Sequence, residues 1–302
     1  MKRKQEDVSC VSLRYVSAGS LVPFLKWAGG KRQLLNEIKS AIPDFSGTFI
    51  EPFVGGGSVF LALEKNKIII NDSNEQLINC YTQIKDNFES IIFELGKLNY
   101  KSPDLEYYRV VRERFNSHIS QKISTPETAA LMMYLNKNCY NGLYRVNSSG
   151  LFNVPFNKNI KETHRQYDFI NLRNISDYLS GIEARILCND FKNVCNLAKK
   201  GDFVFLDPPY VRISKTAYFE SYTKDGFALQ EQFNLARICR QFDKDGIGFL
   251  LSNNDDDFIR EEYKGFYYKV VGVNRSINCT GKKRKSTEIL ITNTPINDWE
   301  ML

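Results

Sequence analysis

The residues of this chain best suited to chemistry stand together in Asp207-Pro208-Pro209-Tyr210. A carboxylate, two residues without backbone N–H groups and a flat amphipathic ring follow one another directly. Proline fixes φ near about −65°, so the turn is stiff. Stiffness suits a group that must hold another molecule to within a fraction of an ångström. An Asp-Pro-Pro turn is also an ordinary way to end a strand. Here, however, it follows Phe203-Val204-Phe205-Leu206, a short apolar run of the kind buried on both faces of a parallel sheet. Asp207 therefore falls at the carboxyl end of a strand, where open α/β sheets bind their ligands.

Two further stretches supply partners for that carboxylate. In Phe24-Leu25-Lys26-Trp27-Ala28-Gly29-Gly30-Lys31, a double glycine marks a turn. After it Leu34, Leu35, Ile38, Ala41 and Ile42 recur at helical spacing. A helix start offers free N–H groups and a dipole that favour a carboxylate. Trp27 and Lys31 could be a core indole and a solvated charge, but their crowding at one turn favours a functional reading. In the second stretch, Phe49-Ile50-Glu51 leads through Gly55-Gly56-Gly57 to the apolar run from Val59. Strand, glycine turn and helix open a nucleotide-type α/β unit in which backbone approaches a ligand closely. Ile68-Ile69-Ile70-Asn71-Asp72 reads as the next buried strand, with Asp72 placed to accept hydrogen bonds from ribose hydroxyls. No Gly-Lys-Ser/Thr sequence is present, which argues against a P-loop nucleotide.

From about 74 to 190 the alternation of strands and helices stops. Helical patterns run through Leu77–Ile84, Tyr107–Phe115 and Ala129–Leu135, the last opened by Pro126 behind Ser124 or Thr125. A loop over 136–147 and on to Phe156 concentrates Asn, Tyr, Arg and Gly, including Tyr140, Asn141, Leu143 and Arg145, with Pro155 close behind. These types can read or wedge between base edges. From composition alone an ordinary Asn/Gly loop with a few packed tyrosines is the better reading. Arg185–Phe191 reads as a strand ending in Asp190 and an aromatic, Leu229–Phe242 as a helix, and Gly248–Ser252 as a strand. Two last strands, near 267–271 and 288–292, flank a loop with Arg275, Lys282, Lys283, Arg284 and Lys285, a candidate phosphate contact.

Composition sets the outer limits. The 302 residues suffice for one large α/β domain with an insertion, and 42% hydrophobic content allows a full core. A net charge of +6 permits an acidic partner without demanding one. Seven cysteines form no C-x-x-C pair and there are two histidines, so neither a zinc site nor a disulfide framework is expected, and a cytoplasmic location fits. No run is apolar enough to span a membrane. Residues 1–20 read as a polar, flexible leader.

Taken together, these stretches resemble the Dam family of DNA adenine-N6 methyltransferases, over about Pro23 to Asn293. The resemblance rests on Phe24–Lys31, Glu51-Pro52-Phe53-Val54-Gly55-Gly56-Gly57-Ser58, Asn71-Asp72, Tyr140–Leu143, Phe152–Phe156 and Asp207-Pro208-Pro209-Tyr210. Their order is similar to the family's alpha arrangement. The resemblance implies a Rossmann-like α/β methyltransferase sheet, over 21–75 and 185–302, with a mainly helical inserted target-recognition domain within 76–184 (core about 76–165). It implies S-adenosylmethionine as cofactor, with S-adenosylhomocysteine as product and no metal. The cofactor would be held by Trp27, Lys31, Gly55, Gly56, Gly57, Asp72, Asp190, Phe191 and Asp207. Asp207, Pro208 and Tyr210 would be catalytic. Double-stranded DNA would be the partner, met by Lys26, Tyr140 as a wedge, Asn141, Leu143, Arg145 as guanine reader, Pro155, Arg275, Lys282 and Lys283, with GATC as the site. A cognate restriction endonuclease acting on the same site is compatible, without a stable complex. After Phe156 the chain departs from the family pattern with Asn157-Lys158-Asn159. An RNA or protein amino-methyltransferase, a cytosine-N4 methyltransferase and a non-catalytic DNA-binding relative are the rival readings.

Overall fold

The computed structural model describes residues 20–99, 104–158, 167–210, 229–275 and 284–302. A sheet of eight strands organises them, in the order β3-β2-β1-β4-β5-β7-β6-β8. Five strands run parallel: β1 (Phe49–Glu51), β2 (Lys67–Asn71), β3 (Glu183–Leu187), β4 (Phe203–Leu206) and β5 (Gly248–Asn254). Three join antiparallel: β6 (Tyr267–Arg275), β7 (Arg284–Thr292), which inserts beside β5, and β8 (Glu300–Met301). This is a mixed α/β architecture, as the sequence led one to expect.

The central strand shows why the sheet is two-sided. Side chains alternate along a strand. In β4, Phe203 and Phe205 enter the core on one face, with Phe49, Ile68 and Ile70, while Val204 and Leu206 enter the other, with Ile50 and Ile69. All four residues of β4 are buried, each contributing about 1.5–3 kcal/mol relative to exposure. The strand that delivers Asp207 is thus anchored on both faces of the sheet. The first core includes helices α3 (Glu75–Asp86), α4 (Phe88–Leu98), α5 (Leu105–Ser120), α6 (Pro126–Asn138) and α7 (Phe169–Gly181). The second includes α8 (Phe191–Cys195), α9 (Leu229–Asp245) and α10 (Asp257–Glu262).

Local sequence explains the helix starts. Asn74, Asp104, Thr125, Asp168, Asp190 and Asp256 each accept a backbone N–H of the first turn of the helix that follows. Thr125, rather than Ser124, caps α6, with Pro126 at its first position. Several boundaries differ from the expectation. Lys31–Leu34 form a 3-10 turn before α1 (Leu35–Ala41), so Lys31 precedes the α-helix proper. β3 begins at Glu183 and stops at Leu187, because Asp190 is committed to capping α8. Asn136, Lys137 and Asn138 belong to the last turn of α6, not to the loop.

Candidate active site

The carboxyl ends of β1, β2 and β4 converge. Asn71, at the end of β2, donates to the carbonyls of Pro52 (2.9 Å) and Asn189 (3.0 Å) and accepts the Asn189 N–H (2.9 Å). One buried amide thus fixes the segments that leave β1, β2 and β3. Next to it, the turn between β1 and α2 (Ser58–Leu63) has Gly55 at φ 48° and Gly57 at φ 74°, the left-handed region that glycine enters without strain. Space demands glycine as well: a Cβ on Gly55 would stand 2.9 Å from Cδ1 of Trp27. Asp72 accepts the Gly55 N–H at 3.1 Å and the Asn74 N–H at 3.0 Å. Burial raises its carboxyl, against those hydrogen bonds.

At the end of β4, Asp207 meets Lys31 across 2.8 Å. The ammonium also donates to the Gly29 carbonyl (2.8 Å) and lies 3.7 Å from Glu288. It stands 5.1 Å from the centroid of the Tyr210 ring. The Tyr210 hydroxyl donates to Glu288 at 2.8 Å and lies 3.2 Å from the Ser252 hydroxyl. Lys31, Asp207, Tyr210, Glu288 and Ser252 therefore form one connected network. Lys31 is 4% exposed, and such a buried cation persists only when paired. Burial opposes its charge, but Asp207, Tyr210 and Glu288 outweigh that and raise it. Burial pushes the Asp207 carboxyl up to about 6, while Lys31 holds it down against that trend. Behind them Glu51 is fully buried, accepts the Phe60 N–H at 3.1 Å, and is held well above the usual carboxylate range by burial and by Asp207. A carboxylate poised near neutrality beside a buried cation can accept protons from a weakly acidic N–H group and be restored by solvent. On the far side, Gln232 of α9 donates to the Pro209 carbonyl at 3.3 Å and supports the turn.

The second constellation lies beyond α6. Tyr140, Asn141 and Gly142 make a 3-10 turn in which Asn141 adopts φ 55°. The Tyr140 N–H donates to the Pro155 carbonyl, Cys139 bridges Phe156, and Val146 bridges Phe152. The segment is thus a hairpin rather than an irregular loop. Tyr140 is 44% exposed, a large aromatic left in solvent at the hairpin end. Arg145 is exposed, and its guanidinium donates to the Asn153 side chain (2.7 Å) and carbonyl (3.3 Å). Lys26 lies across the turn: a Cβ on Gly142 would be 2.5 Å from its side chain. Asn136 locks the two together, bonding to both backbone groups of Lys26 and to the Gly142 carbonyl, each at 2.9 Å. Leu143 is half-buried and Pro155 exposed.

The matching family model is described as D12 class N6 adenine-specific DNA methyltransferase, and it covers residues 27–277. The chain belongs to that family. It is an adenine-specific DNA methyltransferase, an enzyme whose substrate is DNA, and methyltransferases of this kind in general take their methyl group from S-adenosylmethionine. It is 40% identical over 277 residues to the type II methyltransferase M1.LlaDCHI of Lactococcus lactis subsp. cremoris, covering 91% of this chain and 96% of that one. It is 42% identical over 289 residues to the type II methyltransferase M.MjaIII of Methanocaldococcus jannaschii, covering 90% and 98%. The DNA adenine methylase of Escherichia coli K12 is 35% identical over 270 residues, covering 89% and 93%.

Within the methyltransferase, the structure brings Trp27, Lys31, Gly55, Gly56, Asp72, Asp207 and Tyr210 to one end of the sheet, and gathers Lys26, Tyr140, Asn141, Leu143, Arg145 and Pro155 around one hairpin. Asp190 is exposed, caps α8 and pairs with Lys192 at 3.4 Å. Phe191 is 7% exposed and packs beside Phe53 at 5.1 Å. Arg275 closes β6, and Lys282 and Lys283 lie outside the described residues. Glu51, Glu288, Asn136 and Asn153 were not anticipated. Among the described residues no group of three or more His, Cys, Asp or Glu could hold a metal ion, and no helix is long and apolar enough to cross a membrane.

Proposed function

We propose that this methyltransferase transfers a methyl group from S-adenosylmethionine to N6 of an adenine flipped out of duplex DNA, within GATC. The observation that carries this reading is the Asp207 carboxylate, paired with Lys31 and linked through it to Tyr210 at the end of β4. The glycine turn supports the reading, because its backbone, left-handed at Gly55 and Gly57, packs at Gly55 directly against Trp27 and beside Asp72, bringing three of the expected cofactor residues together. Trp27, Lys31, Gly55, Gly56, Gly57 and Asp72 would hold it, with Asp190, Phe191 and Asp207 completing the set. When bound, it supplies an electrophilic sulfonium methyl group.

The protein's part follows from the weakness of the nucleophile, since the lone pair of an adenine amino group is delocalised into the ring. Tyr210 offers the flipped base a flat face on which to stack. Asp207 and the Pro208 carbonyl accept the two amino hydrogens and draw the nitrogen toward tetrahedral geometry, freeing its lone pair for in-line attack. As the amino nitrogen gains the methyl group in place of a hydrogen, Asp207 would take the displaced amino proton and release it to solvent. Positioning and electrostatics carry the step.

Recognition is assigned to the hairpin, within an inserted region over 76–184. Tyr140 would wedge into the duplex and Arg145, pre-oriented by Asn153, would fork onto guanine O6 and N7. Lys26, Asn141, Leu143 and Pro155 complete the base-contacting set, and Arg275, Lys282 and Lys283 would meet phosphates. A restriction endonuclease reading the same site is compatible with the type II names of two relatives. The test is Asp207→Ala: methyl transfer from labelled S-adenosylmethionine should vanish while duplex binding stays within a few-fold of wild type. Near-normal turnover in that variant would overturn the assignment.

A further inference from the structure

Resting on the reading above, we infer that Tyr144 is a positioning residue that couples cofactor binding to DNA engagement, by stacking the recognition hairpin onto the Trp27 indole of the cofactor cradle. Tyr144 stands between Leu143 and Arg145, two of the residues assigned to bases. Unlike the exposed Arg145, it is half-buried and packs against the core. Its ring stacks on Trp27, with centroids 5.6 Å apart and planes at 25°, and meets Phe152 of the same hairpin at 5.7 Å. Trp27 in turn fills the space over Gly55, as the 2.9 Å approach to a Cβ there requires. One indole thus touches the glycine turn and the hairpin at once.

The backbone repeats the connection. The Asn136 amide ties both backbone groups of Lys26, the residue before Trp27, to the Gly142 carbonyl of the recognition turn. A hairpin held by DNA therefore holds Trp27 against the glycine turn, and the cofactor then meets a cradle that is already ordered. The coupling is positive, and because binding free energies are linked it is reciprocal. A stacked aromatic pair supports an effect of about two- to tenfold in affinity.

The experiment is calorimetric titration of S-adenosylhomocysteine into the full chain, alone and saturated with a GATC duplex. Affinity should rise about two- to tenfold with the duplex. Tyr144→Phe, which keeps the ring, should preserve that ratio. Tyr144→Leu should bring it close to one while each ligand still binds on its own. A wild-type ratio of one with both ligands bound, or an unchanged ratio in Tyr144→Leu, would overturn the inference while leaving the proposed function standing. Failure of the wild type to bind S-adenosylhomocysteine or duplex would overturn both. A second measurement does not depend on the leucine variant folding. The chain has two tryptophans, Trp27 and Trp299, so Trp299→Phe leaves Trp27 as sole reporter. Adding duplex without cofactor should change its emission, and an unchanged spectrum counts against the coupling.

Discussion

Replacing Lys31 by methionine isolates what the buried cation does for Asp207. Methionine has similar length and no charge, so the 2.8 Å ion pair is removed with little change in volume. Breaking a buried pair costs about 3–5 kcal/mol, because the surviving charge is left unpaired. Asp207 can escape that cost by taking up a proton, so the loss appears as a raised pKa at about 1.4 kcal/mol per unit. Its side chain is 19% exposed, which places the effect at the lower end, roughly two units. The carboxyl would then move from about 6 in the wild type to roughly 8 in Lys31→Met. Asp207 must be ionised to accept amino hydrogens. Wild-type methyl transfer should therefore fall as pH drops through about 6, whereas the variant should already be failing at neutral pH. At pH 7.5 the ionised fraction would be roughly a quarter instead of nearly all, and transfer should recover toward pH 9. The assay is single-turnover transfer at saturating cofactor between pH 5 and 9.5, with cofactor affinity measured separately. A variant whose acid limb stays near pH 6, with only its plateau lowered, would show that Lys31 does not set the ionisation of Asp207.

Gly55→Ala brings a methyl group within 2.9 Å of Trp27 at a φ of 48°, and should weaken cofactor binding at least tenfold by calorimetry, with duplex affinity nearly unchanged. Asn153→Ala removes the side-chain acceptor 2.7 Å from the Arg145 guanidinium and leaves only the longer contact to the backbone carbonyl of residue 153. It should raise KM for a GATC duplex several-fold and leave kcat within about twofold, a loss consistent with one charge-assisted hydrogen bond. Glu288→Gln retains an acceptor for the Tyr210 hydroxyl and should keep most of the turnover. Glu288→Ala leaves that hydroxyl without its 2.8 Å partner and should lower kcat about tenfold.

Much of this site could be read from the chain because its parts are local. The apolar run of β4 leads straight into Asp207-Pro208-Pro209-Tyr210, and the three glycines follow β1 directly. What was not legible depends on contacts between distant segments. Glu288 opens an ordinary apolar run, and nothing in that run shows that β7 inserts beside β5 and carries the carboxylate to Tyr210. Glu51 lies inside a motif that carries the resemblance, but its proximity to Asp207 follows only from the pairing of β1 with β4. Asn136 and Asn153 look like any polar residues near a loop until Lys26 and Arg145 arrive from elsewhere. Helix α4 was hidden for another reason: its Phe88, Ile91 and Leu95 follow α3 after the single residue Asn87, so the two apolar patterns merge. Tyr144 offered a weak signal, an aromatic among base-contacting types, with no indication that it packs inward.

The most direct measurement is methyl transfer from labelled S-adenosylmethionine to short duplexes that contain GATC or the same bases scrambled, followed by nucleoside analysis. Label is expected on N6-methyladenine, and only with the GATC duplex. Equal labelling of the scrambled duplex would contradict the roles given to Arg145 and its hairpin. Absence of N6-methyladenine from both would contradict the chemistry assigned to Asp207.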